Sequence, residues 1–131
     1  MGAWGTGIFE SDGALDFVLE LTDTADLELV QQAFDEVREA SEDYMDADIA
    51  ERGLVSAEVV AALTGSPGDL PDDLADWLTG QTLDPGITRK QAHQAVRMIR
   101  DDSELRELWE ESDDFDGWLD GINDLLERLS G

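Results

Sequence analysis

Apolar residues recur at intervals of three and four along most of this chain, and that spacing places them on one side of an α-helix. In the segment 12–21 the residues so spaced are Ala14, Phe17, Val18 and Leu21. No segment alternates apolar and polar residues over the length of a strand, and β-branched residues are scarce. The pattern therefore predicts an all-α protein.

Turn and capping residues divide the chain into about six helices. They are predicted at 12–21, 24–43, 46–64, 71–79, 88–100 and 113–129. Tyr44 is expected to continue the buried stripe of the second helix, and Gly53 permits a break in the third. Residues 101–103 interrupt or bend the fifth helix before its apolar pattern resumes. A length of 131 residues suits one domain, predicted to span 1–131.

The first ten residues are expected to form an ordered arm that packs on this core. Its glycines suit an irregular backbone, and apolar side chains stand between them. The residues that define this motif are Gly2, Trp4, Gly5 and Phe9. The arm has neither the basic region nor the apolar run of a signal peptide, so a cytoplasmic protein is expected.

Charge excludes several classes of partner. Asp and Glu number 33 against 8 Lys and Arg, which gives a net charge of −25. Nucleic acids and anionic membranes are poor partners for such a surface, so neither is expected. The acidity can instead attract a basic protein, or reflect only solvation, salt adaptation or codon composition. The chain itself is expected to be a monomer or a small homo-oligomer.

Catalytic side chains are few. Cysteine is absent, and His93 and Lys90 are the only residues of their types. Thiolate chemistry and histidine-rich metal sites are therefore excluded, and no catalytic residue, cofactor or metal ligand is assigned. Carboxylates are the catalytic groups that remain, so a carboxylate-based, divalent-metal-dependent enzyme stays open as the alternative to a non-enzymatic protein.

Acidic residues form ladders at helical spacing. One contains Asp12, Asp16 and Glu20 in the first helix. A second, in the last helix, consists of Asp113, Asp116, Asp120 and Asp124, and continues to Glu127. Like charges at this spacing repel by about 0.2–0.5 kcal/mol per pair at low salt. The ladders are either solvated outer faces or an interaction surface for a basic protein.

One helix has the opposite charge. Arg89, His93, Arg97 and Arg100 share one face of the helix predicted at 88–100, and residues 88–100 contain no acid. Arginine pairs well with carboxylates because its guanidinium can donate two parallel hydrogen bonds. We interpret this face as a clamp against an acidic helix or as a subunit contact, with an anion site as the alternative.

Several stretches together carry a family resemblance. They are the opening MGAWGTGIFESD of residues 1–12 with Ala14 and Asp16, AEVVAAL at 57–63, Trp77, and DSELRELW at 102–109. The chain resembles the bacterial and archaeal family called domain of unknown function 4259 over nearly its whole length. The opening motif is fairly specific, and Ser11 stands where the family often has Asn, which keeps a capping side chain. The resemblance implies a small stand-alone single domain and supplies no activity.

These observations favour a non-enzymatic protein-interaction module. Its net charge suits a basic partner, and an immunity or inhibitor protein that neutralises such a partner is one form of this function. An acidic mimic of nucleic acid is a third hypothesis, which requires carboxylates spaced like phosphates on one continuous face.

Overall fold

The fold is built around one long helix that the other helices enclose. The computed structural model describes residues 8–130. Within them, a 3-10 turn at Ile8–Glu10 is followed by the helices α1 (Asp12–Thr22), α2 (Glu28–Ala40), α3 (Ala47–Leu63), α4 (Asp72–Leu78), α5 (Arg89–Asp101), α6 (Glu104–Glu110) and α7 (Phe115–Ser130). No strand occurs in this range, which confirms the all-α prediction. None of these helices is long and apolar enough to cross a membrane.

Helix α3 forms the centre of the core. It packs against α1, α2, α5, α6 and α7, and every residue from Gly53 to Ala61 is buried. A helix enclosed on all sides has to be apolar around its whole circumference, and this stretch contains a single charged residue, Glu58. The outer helices bury one apolar stripe each and leave their charged faces outward.

The end of α3 is fixed by a glycine. Gly65 adopts a left-handed conformation with φ 96°. The backbone N–H of Ser66 donates to the carbonyl of Ala61 at 2.8 Å, and the N–H of Gly65 donates to Ala62 at 3.2 Å. These two bonds satisfy carbonyls that a helix end would otherwise leave unpaired, so the loop toward α4 begins at a defined point.

Gly53 does not break α3, which is continuous through it. A methyl group at this position would lie 2.7 Å from Val37 Cγ2 in α2 and 2.9 Å from Ile99 Cδ1 in α5. The missing side chain therefore serves packing, because it allows α2 and α5 to approach the middle of α3 closely. The sequence shows only that glycine has a weak helix propensity. The close approach at Gly53 cannot be read from it, because it depends on Val37 and Ile99 in two other helices.

The predicted start of α2 at residue 24 is wrong, because the helix begins at Glu28. The carbonyl of Thr24 accepts a hydrogen bond from the indole Nε1 of Trp77 in α4, at 2.9 Å. The hydroxyl of Thr24 donates to Leu21 at 2.8 Å, and Asp26 accepts from the N–H of Glu28 at 3.1 Å. These bonds hold a turn between α1 and α2 where apolar spacing alone suggested helix.

The prediction that Tyr44 continues the buried stripe of α2 is also wrong. Helix α2 ends at Ala40, so Tyr44 lies in the connection to α3 and its side chain is 55% exposed. Its neighbour Met45 is buried in its place. The backbone carbonyl of Met45 accepts from the N–H of Glu104, and the Glu104 carboxylate accepts from the N–H of Ala47, both at 2.8 Å. These bonds tie the connection to the start of α6.

The interruption predicted at 101–103 is confirmed, and it separates α5 from α6. Ser103 is buried, donates to the carbonyl of Ile99 at 2.8 Å and caps α6 by accepting from the N–H of Arg106 at 3.1 Å. Helix α7 begins at Phe115, two residues after the predicted start. Ser112 closes a turn there, donating to Trp109 and accepting from the N–H of Asp114.

The buried charge of α3 is neutralised by α7. Arg128 donates to both carboxylate oxygens of Glu58, at 2.8 and 2.9 Å. The same guanidinium donates to Asp124 at 2.9 Å and to the carbonyl of Ser66 at 3.3 Å. The hydrogen bonds to Glu58, more than any other contact, raise the pKa of Arg128 above its usual range. One side chain therefore joins α3, the loop after it and α7.

We predict that Gly53→Ala lowers the free energy of unfolding by about 1 kcal/mol. Overpacking of a core typically costs about 1–3 kcal/mol, and about 1 kcal/mol is offset by the better helix propensity of alanine. Denaturant unfolding measures the difference. Gly80→Ala is the control, since its methyl group would meet nothing closer than the carbonyl of Trp77 at 3.9 Å. Equal stability of both variants would contradict the close approach at Gly53.

We also predict that Glu58→Gln lowers the free energy of unfolding by about 1–3 kcal/mol, because it leaves a partly buried guanidinium without its main partner. The matched control is Glu36→Gln. It removes the more exposed pair between Arg52 and Glu36, in which the nitrogen and oxygen lie 3.1 Å apart. Exposed pairs contribute about 1 kcal/mol or less. Thermal and denaturant unfolding should rank the two variants in that order, and the reverse order would refute the role of Glu58.

Candidate interaction surfaces

The acidic face of α1, defined here as Asp12, Asp16 and Glu20, lies on the outside of the molecule. Ser11 caps the helix by accepting from the N–H of Ala14 at 3.2 Å, and its hydroxyl donates to Glu51 of α3. All three acidic side chains are exposed. Within residues 8–130 no basic side chain pairs with them. The acidic face of α1 is therefore a solvent-facing ladder whose charge no described basic side chain compensates.

Two leucines that the sequence analysis did not single out share this side of α1. Leu15 is 38% exposed and Leu19 is 64% exposed. The core stripe of α1 consists of Ala14, Phe17, Val18 and Leu21, so both leucines lie outside it. The signal was present in the sequence, because positions 15 and 19 are one turn apart and alternate with the acids at 12, 16 and 20.

The acidic residues predicted on the last helix separate into two environments. Asp116 and Asp120 are exposed on α7, whereas Asp113 lies in the turn that precedes it. Asp124 pairs with Arg128 one turn further along. Asp124 thus belongs to the structural network around Glu58 although its side chain is 65% exposed, whereas no described basic side chain pairs with Asp113, Asp116 or Asp120.

The basic face of α5 borders α7. Arg100 donates to Asp101 of its own helix at 2.8 Å and to the side-chain oxygen of Asn123 in α7 at 3.3 Å. The hydrogen bond from Arg100 is the main reason why the pKa of Asp101 lies below its usual value. Arg89 and His93 are partly buried, and Arg97 is exposed.

The structure pairs none of these four basic residues with an acidic helix among the side chains it describes. The contact that reaches α7 ends on the amide of Asn123, although Asn123 has acidic neighbours on that helix. A role of this face as an internal clamp, a subunit contact or an anion site therefore stays a prediction.

A surface cleft of about 360 Å³ lies beside this face. Its lining comes from the residue after α2, from α5 and from the residue after α5, and comprises Ser41, Gln94, Arg97, Met98, Asp101 and Asp102. In the described part of the chain, no three His, Asp or Glu side chains converge so that they could hold a metal ion.

The N-terminal motif is described only at its end. Phe9 lies in the 3-10 turn, is partly buried and packs against the core together with Ile8. Gly2, Trp4 and Gly5 lie outside the described residues. Packing of the arm is therefore observed for Ile8 and Phe9 and stays a prediction for residues 1–7.

We predict that the unfolding temperature rises with KCl and levels off between about 0.1 and about 1 M. Over this range the Debye length falls from about 10 Å to about 3 Å, and so passes below the spacing of about 6 Å between ladder neighbours. The variant Asp12→Asn/Asp16→Asn/Glu20→Gln should show a smaller initial rise. A rise that continues to several molar KCl would instead indicate salt adaptation of the whole surface.

The comparisons with known proteins identify a family and nothing finer. No curated protein and no solved structure matches the chain. A family model described as Domain of unknown function (DUF4259) matches residues 2–121, which includes every helix up to the first part of α7. This match confirms the resemblance found in the opening motif and the later helices. The chain therefore belongs to the DUF4259 family.

Proposed function

We propose that this protein is a non-enzymatic interaction module that binds a basic partner protein, in the way that immunity and inhibitor proteins neutralise their targets. The observation that carries the proposal is the acidic face of α1. Asp12, Asp16 and Glu20 are exposed together on one short helix, and no described basic side chain compensates them.

The use of basic residues supports this proposal. Five of the seven arginines form ion pairs within the described residues, and they are Arg38, Arg52, Arg100, Arg106 and Arg128. The basic residues without such a pair, Arg89, Lys90 and Arg97, all belong to α5. In the described residues, the main contacts of α1 are with α3, α4 and the 3-10 turn, whereas α5 packs mainly on α3 and α7.

Long-range electrostatics suits this role. A net charge of −25 attracts basic proteins from a distance and speeds their encounter with the acidic surface. Such a field raises the association rate and favours partners of opposite charge, whereas the contacts at the interface determine how long the complex lasts. A specific partner should therefore depend on where the carboxylates lie and only in part on their number.

The experiment is affinity capture from an extract of the source organism by the immobilised full chain at about 0.15 M KCl, where the Debye length is about 8 Å. We expect one basic protein to be retained in stoichiometric amount and identified by mass spectrometry. The variant Asp12→Asn/Asp16→Asn/Glu20→Gln should lose it. The matched variant Asp113→Asn/Asp116→Asn/Asp120→Asn, which removes the same number of charges from the other end of the chain, should keep it.

Two results would contradict the proposal. Recovery of no basic protein would mean that the acidity serves solvation or salt adaptation. Equal loss of the captured protein from both triple variants would mean that only bulk charge holds it, which is non-specific adsorption.

A further inference from the structure

Large apolar side chains are few on the surface that residues 8–130 form. Among the described residues, those that are well exposed are Leu15, Leu19, Tyr44 and Leu108. Tyr44 and Leu108 belong to the connection before α3 and to α6, whereas Leu15 and Leu19 are on one helix. Single exposed leucines are ordinary, but two at adjacent turns of one helix form a continuous apolar strip.

The strip has a defined geometry. Leu15 and Leu19 are four residues apart, so their Cβ atoms lie about 5–6 Å from each other on the same side of α1. Asp12, Asp16 and Glu20 are at the same spacing and follow one edge of this strip. A helix of 11 residues thus presents an apolar row and an acidic row side by side.

The helix is held firmly from behind. Its opposite side buries Phe17 and Leu21 in the core, and its capping residue Ser11 donates to Glu51 of α3. The two rows are therefore presented on a fixed element, and a partner does not have to order them. Rigid presentation lowers the entropic cost of binding.

We propose that the leucine strip and the acidic face of α1 together form a docking site for a basic amphipathic helix of a partner protein. Apolar side chains one turn apart on that helix pack between Leu15 and Leu19, and Lys or Arg residues on its flank pair with Asp12, Asp16 and Glu20. This inference rests on the proposed function and adds the class of structure that is recognised. Apolar anchors at helical spacing are the usual way in which a helix occupies such a surface.

Charge decides between the candidate occupants. A second copy of this chain that docked through its own α1 would place like carboxylates against each other, which costs energy. An acidic or neutral partner helix would leave the three carboxylates uncompensated at the edge of the contact. A basic helix is the occupant that matches both rows.

The test uses two probes at about 0.15 M KCl, where surface charges are partly screened. One is a synthetic amphipathic peptide of leucine and lysine that forms a helix, and the other is poly-L-lysine with the same number of charges. Affinities for the full chain are measured by calorimetry, and the contacted residues are located by NMR chemical-shift changes. The variants are Leu15→Ser/Leu19→Ser and, as the matched control, Leu108→Ser, whose leucine is 51% exposed on another helix. Thermal unfolding checks that each variant is folded.

We expect the amphipathic peptide to shift the signals of α1. Leu15→Ser/Leu19→Ser should lower the affinity for this peptide by about tenfold or more, because two apolar contacts are lost. Leu108→Ser should leave the affinity unchanged. Poly-L-lysine should bind more weakly and respond equally little to either leucine variant.

Three results would overturn the inference. If the amphipathic peptide bound the wild type and Leu15→Ser/Leu19→Ser with equal affinity, the leucines would not contact the partner helix and the inference would be wrong. The proposed function would still stand in that case if both basic probes bound. If sedimentation showed that the wild-type protein is a dimer and that Leu19→Ser is a monomer, the leucine strip would be the contact between two copies of this chain. NMR contacts between Leu19 and residues 1–7 in the free protein would assign it to the chain's own N-terminal segment.

Discussion

The enclosure of α3 by five other helices is the constraint on which the rest of this structure depends. Because α3 is buried around its circumference from Gly53 to Ala61, the acidic residues that the structure describes lie on the outer faces of the other helices, at the start of α3 or in the connections between helices. The exception is Glu58, whose burial requires Arg128 to cover it. The same enclosure explains Gly53, since a helix packed on all sides needs a position where two neighbours can come close. A dense acidic surface is thus partly a geometric consequence of filling the interior with α3.

The helices could be predicted from the sequence wherever a local pattern determined them. Apolar spacing predicted the buried stripes of α1 and α5, and capping side chains predicted the starts of these two helices. The prediction failed where a distant group intervened. The indole of Trp77 holds Thr24 in a turn, and the contact with Glu104 ends the stripe before Tyr44. No short-range pattern indicates either contact, because the partners are more than 50 residues away.

The candidate site was predictable in its charged half. Spacing of four residues placed Asp12, Asp16 and Glu20 on one side of α1, and the structure shows them exposed there. The sequence-based prediction named only the core stripe of α1, and Leu15 and Leu19 fall outside that stripe because their angular position separates them from Phe17 and Leu21. Asp124 is exposed, as the ladder spacing predicted, but its carboxylate is paired with Arg128. Its pairing with Arg128 is local and foreseeable, whereas the bond from Arg128 to Glu58 joins residues 70 positions apart.

Stability and binding are coupled on α1. Like carboxylates at adjacent turns repel, which opposes folding slightly in the free protein, and the exposed leucines contribute little burial energy to its stability. A ligand that binds only the folded state adds its binding energy to the stability of that state. A basic amphipathic helix would relieve the repulsion and cover the leucines in one contact, so the apolar surface that is left in water in the free chain would contribute binding energy in the complex. Acidity without the leucines would attract any cation equally, and leucines without the acidity would attract any apolar surface. In the proposed complex, their coincidence on one rigid helix is what would give the surface a preference for one kind of partner.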